Sequence, residues 1–272
     1  MSKKWELCGG NLILYTFYFL RTIWGAKVRL FAGFENSEIL HRKRRKSSLS
    51  VHIFVILPRK KFTMKKNPLL QYGNVPVTGK MIESCYSLLN VPSKRIQYLE
   101  NEGDIIRLKR GLYVVNPEVS GKPIVAPLCA NHIYGPSYVS LRWALRWYGL
   151  IPEQVHRMTS VTFKRSRSFE TPIGVFDYYQ VKTDYFSIGL RMEQEEDVSF
   201  IIASPEKALC DFILYDSYLP DRSVKRLAQY LEEDLRFDMD ELANFDVEII
   251  ESCAEQGTKK TILNNLIKII QQ

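Results

Sequence analysis

Acidic residues are nearly missing from the first quarter of this 272-residue chain, where positions 1–63 carry 13 Lys and Arg, three Glu and no Asp. The formal charge of +8 therefore belongs to that segment, whose net is +10. Positions 64–272 hold 25 basic and 27 acidic residues, a net of −2. A nucleic-acid surface in the remainder has to be a local patch. Long apolar runs are missing as well. Leu12 to Leu20 is cut by Arg21, and Val51 to Leu57 follows the basic cluster Arg42 to Lys46. Neither approaches the roughly 18–20 apolar residues that span a bilayer. No small-x-small cleavage site follows the first run before Arg21 and Trp24, which argues against a signal peptide. The expectation is a cytoplasmic protein with no membrane partner.

Cysteines are few, odd in number and never in a C-x-x-C pair: Cys8, Cys85, Cys129, Cys210 and Cys253. That excludes an obvious disulfide framework or zinc motif and suits a reducing compartment. The four histidines form no H-E-x-x-H, so no metal site is expected. Phosphate-binding glycine loops and the G-x-S-x-G elbow are also lacking. Runs such as Glu195-Glu196-Asp197 and Glu232-Glu233-Asp234 read as solvated faces rather than a matched acid and base. The reading is of a non-enzyme without cofactors.

What is present starts with Phe62-Thr63-Met64-Lys65-Lys66-Asn67, which looks like an ordinary bacterial protein start. Residues 1–63 are therefore read as an extension, disordered or upstream of a biological start at Met64. Residues 64–116 form a first unit. Thr78 is placed to cap a helix through Leu89, with Met81, Ile82, Cys85, Leu88 and Leu89 at helical spacing. Asn90 is placed as a left-handed residue ending it. A second helix, Ser93 to Glu102, turns Ile96 and Leu99 inward. Two apolar strands follow, joined by the turn Lys109-Arg110-Gly111. This is the order of a winged helix-turn-helix.

DNA binding has a physical case in these residues. Lys80, Lys94, Arg107, Lys109 and Arg110 can neutralise phosphates, with Ser93 beside them at the front of the second helix. Arg95 can pair with guanine and Gln97 with adenine in the major groove, and Tyr98 can add a phosphate or stacking contact. Glu100, Glu102 and Asp104 dilute the patch, and such a module can also serve protein contacts alone.

Residues 117–133, with Pro117, Gly121, Pro123 and Pro127, read as a linker. Beyond it, a helix is expected from Pro136 or Ser137 to Gly149, then several strands between Met158 and Leu190. Lys164-Arg165-Ser166-Arg167 is placed in a hairpin loop, solvated or in contact with a partner or phosphate. Ser204-Pro205-Glu206 opens another helix, and capping accounts for its residues without chemistry. The tail is helical, with Ile262, Leu263, Leu266, Ile269 and Ile270 as a stripe that packs back on the domain. The fold class expected is α+β: a winged helix-turn-helix, then a mixed α/β domain over 134–272 with a helical tail.

Three blocks in this order resemble the AbiEi family of abortive-infection antitoxins. They are the wing ending Arg110-Gly111-Leu112-Tyr113, the stretch from Pro136 to Pro152, and Ala203-Ser204-Pro205-Glu206-Lys207-Ala208-Leu209-Cys210-Asp211. Together they cover about residues 70–220. Trp143 and Trp147 depart from the smaller residues expected there, and residues 1–63 have no counterpart. The resemblance implies a bacterial type IV toxin–antitoxin system. Its winged helix would repress its own operon by binding promoter DNA, and its C-terminal domain would neutralise a cognate nucleotidyltransferase-like toxin without needing a stable complex. The alternatives are a solitary winged-helix transcriptional regulator whose second domain binds a protein or ligand, and an enzyme hidden in that domain.

Overall fold

The computed structural model describes residues 67–219 and 223–272. The expectations for residues 1–63 and for a start at Met64 lie outside the described residues. Everything described belongs to one compact unit, Lys66–Gln272.

Asn67 opens the first turn: its side-chain oxygen accepts from the Leu69 amide at 3.1 Å, with Pro68 in the first position of a 3-10 turn, Pro68–Tyr72. A two-residue strand follows (β1, Val77–Thr78), and Thr78 caps α1 (Gly79–Cys85) through the Met81 amide. The helix stops at Cys85, four residues short of the sequence expectation. Only Ile82 of α1 is buried, whereas Met81, Leu88 and Leu89 are exposed, so the apolar spacing did not mark one inward face. Short turns bonded Tyr86 to Glu83 and Leu89 to Tyr86 carry the chain onward. Asn90 is not left-handed; among the described non-glycine residues only Leu141, Glu196 and Arg236 have positive φ.

The second helix, α2 (Pro92–Asn101), buries Ile96 and Leu99 as its period requires. Pro92 supplies a first-position residue that needs no amide partner. Strands β2 (Ile105–Lys109) and β3 (Leu112–Val115) form an antiparallel hairpin closed at Gly111, φ +78°, and β1 joins its far side in the order β1-β3-β2. An irregularity between Arg107 and Lys109 breaks the register.

Every residue of β3 is buried, and this departs from a hairpin with one wet face. Tyr113 and Val115 join Leu69, Val77, Ile82, Ile96, Leu99 and Ile105 in one apolar cluster. Leu108, Leu112 and Val114 belong to a second, larger cluster that continues through the rest of the chain. One hairpin thus serves two cores.

The covering element comes from the stretch read as a linker. It holds α3 (Pro117–Ser120) and α4 (Ala126–Ile133), the latter burying Pro127, Leu128, Cys129, Ala130 and Ile133. Its prolines do not break structure, because Pro117 and Pro127 sit in the first turns of these helices where proline is tolerated.

The second sheet is mixed and six-stranded, ordered β6-β7-β5-β4-β9-β8. Its members are β4 (Tyr138–Val139), β5 (Arg157–Thr162), β6 (Arg167–Thr171), β7 (Gly174–Gln180), β8 (Leu190–Glu195) and β9 (Val198–Ala203). Tyr138 and Val139 are strand rather than helix: both are fully buried and pair with β5 on one side and β9 on the other. Helix α5 therefore begins later, at Leu141–Trp147. Residues 163–166 are not a hairpin loop, because β5 pairs parallel with β7 while β6 pairs with the other edge of β7.

A short α6 (Thr183–Phe186) precedes β8, and α7 (Pro205–Tyr215) begins as its sequence dictates, Ser204 Oγ accepting from the Lys207 amide at 3.3 Å. The tail comprises α8 (Val224–Gln229) running into a single π turn, α9 (Val247–Gln256) and α10 (Lys260–Ile270). Of the α10 stripe, Leu263 and Leu266 are buried, while Ile262, Ile269 and Ile270 pack partly buried against the same core, which Ile267 also joins. The class is α+β, and among the described residues no helix is long and apolar enough to cross a membrane.

Candidate nucleic-acid interface

Helix α2 presents its polar side to solvent. Ser93, Lys94, Gln97 and Tyr98 are exposed on it, and Lys80 is exposed in the first turn of α1. No side chain caps the α2 N-terminus. Pro92 has no amide and the Lys94 amide donates to the Val91 carbonyl, so the cation of Lys94 rather than a row of free amides faces solvent at this end. Arg95 is half-buried, its guanidinium 4.5 Å from the Tyr98 ring centre and 5.3 Å from that of Tyr86. Burial pushes the Tyr86 phenol up, and Arg95 partly opposes that rise. The two rings hold the guanidinium plane, so Arg95 is a fixed donor rather than a swinging one.

The hairpin cations separate into two environments. Arg107 is 2.5 Å from the Glu100 carboxylate and 5.5 Å from the Tyr113 ring, and the Glu100 hydrogen bond is the main reason its proton is held more tightly. Its charge is largely answered inside the molecule. Lys109 points the other way, donating to the Ile133 carbonyl at the C-terminus of α4. Burial lowers its pKa, and the nearby charges of Lys164 and Arg167 lower it further. Arg110, at the turn, is exposed and is without an ion pair among the described residues.

Lys164 and Arg167, from the run expected to form a hairpin loop, complete a group with Lys109. Lys164 Nζ donates to the Gly135 carbonyl at 2.5 Å and lies 5.3 Å from the Tyr134 ring; Arg167 lies 5.0 Å from the Phe169 ring. Strand β6 runs beside β2, which brings these cations to Lys109. None of Lys109, Arg110, Lys164 or Arg167 forms a salt bridge among the described residues. Cations gathered without acids repel one another, and a polyanion relieves that repulsion. The signal in sequence was the Lys164-Arg165-Ser166-Arg167 run; what it lacked was the pairing that puts β6 next to the hairpin.

Two other polar features occupy the second sheet. A cleft of about 570 Å³ between β5, β7 and the end of α7 contains Arg142, Glu153, His156, Arg157, Asp177 and Tyr215. Two of its carboxylates are paired with arginines: Arg157 grips Asp177 at 2.6 and 2.9 Å, and Arg142 meets Glu153 at 2.6 Å. Deeper, Lys207 and Asp211 are fully buried one helical turn apart on α7, 3.4 Å from each other. Lys207 also donates to the Tyr185 carbonyl at 2.9 Å, and Asp211 accepts from Ser140 Oγ at 2.6 Å. The α7 motif thus does more than cap a helix: it ties α5, α6 and α7 together through one buried ion pair.

The class defined by fold is a mixed α+β protein with a basic, helix-led face. No family model matches the chain, and no curated protein matches it.

Proposed function

We propose that residues 64–116 act as a winged helix on duplex DNA and that the chain is an antitoxin regulating its own operon. Helix α2 is the recognition element in this reading, and the β2–β3 hairpin is the wing. The observation that carries it is a set of cations that form no ion pair among the described residues: Lys94 in the first turn of α2, Lys80 next to the hairpin turn, where the Gly79 amide bonds the Gly111 carbonyl, and Arg110, Lys109, Lys164 and Arg167. Phosphate contacts of this kind set position, while Arg95 and Gln97 read base edges. Residues 134–272 are the neutralising domain, directed at a nucleotidyltransferase-like toxin; the resemblance of the Pro136–Pro152 and Ala203–Asp211 blocks to AbiEi antitoxins supports this.

Co-expression with the product of the adjacent gene tests the antitoxin half. Rescue of growth by the chain is expected, and growth arrest that the chain fails to relieve overturns it. The cleft between β5 and β7 supports a second reading, a solitary regulator that takes a ligand there; DNA binding without rescue would favour it.

A further inference from the structure

The open edge of the second sheet, β8, has the charge pattern of a self-pairing strand. Its six residues run opposite β9 without a shift, from Leu190↔Ala203 to Glu195↔Val198. The strand contains no proline, lysine or bulge of the kinds that usually protect an edge. The Ser204 amide donates to the Gly189 carbonyl, so the odd-numbered residues turn their backbone groups toward β9. The other side agrees: Ile201, opposite Met192, bonds its own amide and carbonyl to the Asn131 side chain instead. Leu190, Met192 and Gln194 therefore direct their amides and carbonyls to the open side, where no described strand pairs with them.

The side chains say what fits there. On one face Met192 is 74% exposed and sits directly across from Ile201, 41% exposed. On the other face Arg191 and Glu193 alternate in charge, with Arg191 only distantly held by Glu206 at 3.9 Å. A second β8 laid antiparallel with Met192 opposite its own copy places Arg191 against Glu193 twice over. It also completes an apolar row, Ile201 and Met192 followed by their copies in reverse order. Shifting the axis to Glu193 would set that carboxylate against its own copy and Met192 against Gln194, breaking the apolar row even though Arg191 would then face Glu195, so the apolar row together with charge selects the register.

We propose that two copies of this chain associate through β8 in that register, making one continuous twelve-stranded sheet. The pairing depends on β8 alone and not on the DNA reading. Sedimentation equilibrium of the full chain up to about 100 µM tests it, with twice the 31.7 kDa chain mass expected. Arg191→Glu should raise the dissociation constant about tenfold, by opposing like charges twice, and adding Glu193→Arg should restore it. Met192→Pro removes an amide that faces outward, leaves the β8–β9 bonds intact and should also weaken the dimer. A chain that stays monomeric throughout, or a dimer indifferent to both Met192→Pro and the Arg191 reversal, overturns the proposal.

Discussion

Arg107 and Arg110 are two residues of one hairpin with different work to do. Arg107 spends its charge on Glu100, while Arg110 is exposed at the tip and has no ion pair among the described residues. Substituting Arg110 or Lys94 with Ala should lower the salt dependence of DNA binding by about one unit each. Arg107→Ala should change it by clearly less, because Glu100 already neutralises that charge; salt titrations of the three variants in parallel measure the difference. At Asp177 the fork of Arg157 holds the carboxyl below its usual range. A depressed acid stabilises the fold above its unfolded pKa and loses that contribution as pH falls through the folded value. Urea unfolding of wild type against Asp177→Asn should therefore differ most at neutral pH and converge as the pH falls through the depressed pKa of the folded carboxyl. The buried pair gives a larger effect. Asp211→Ala leaves the fully buried Lys207 without its carboxylate partner and should cost about 3–5 kcal/mol, readable as a shift in the denaturation midpoint.

Among the elements, the β2–β3 hairpin decides the architecture, because its two faces belong to different cores. Leu108→Ala acts on the larger core, through a residue only 3% exposed, and should destabilise by about 2–5 kcal/mol. Since the strand is shared, near-ultraviolet and far-ultraviolet signals should lose structure together in that variant rather than in two steps. How much of this was legible in the sequence follows from the range of the forces involved. Helix α2, the hairpin turn at Gly111 and the cap at Ser204 rest on local spacing and local bonds, and each lies where the sequence places it. The reach of α1 to Leu89 was misjudged because Met81 and Leu88 look inward by period and are exposed in fact. Helix α4 was hidden by prolines that begin helices as readily as they end them. The two-sided burial of β3 and the meeting of Lys109 with Lys164 and Arg167 depend on pairings far apart in the chain, which no local pattern encodes.

At the scale of the whole molecule, charge is the organising quantity. Residues 64–272 are slightly acidic overall, yet apart from Arg107, which pairs with Glu100, the cations of α2 and the hairpin tip form no ion pair among the described residues. Lys109 and Lys164 also donate to carbonyls at the end of α4, which fastens the hairpin to the second sheet and lets that sheet contribute cations to the same face. We propose that this face binds duplex DNA, with preference for the chain's own promoter. Fluorescence anisotropy of the full chain on the upstream duplex and on a scrambled duplex, over a series of salt concentrations, tests it most directly. The affinity should fall linearly on logarithmic axes as salt rises, and the promoter should bind at least about a thousandfold more tightly than the scrambled sequence. Absence of binding at low salt, or equal affinity for both duplexes, would contradict it.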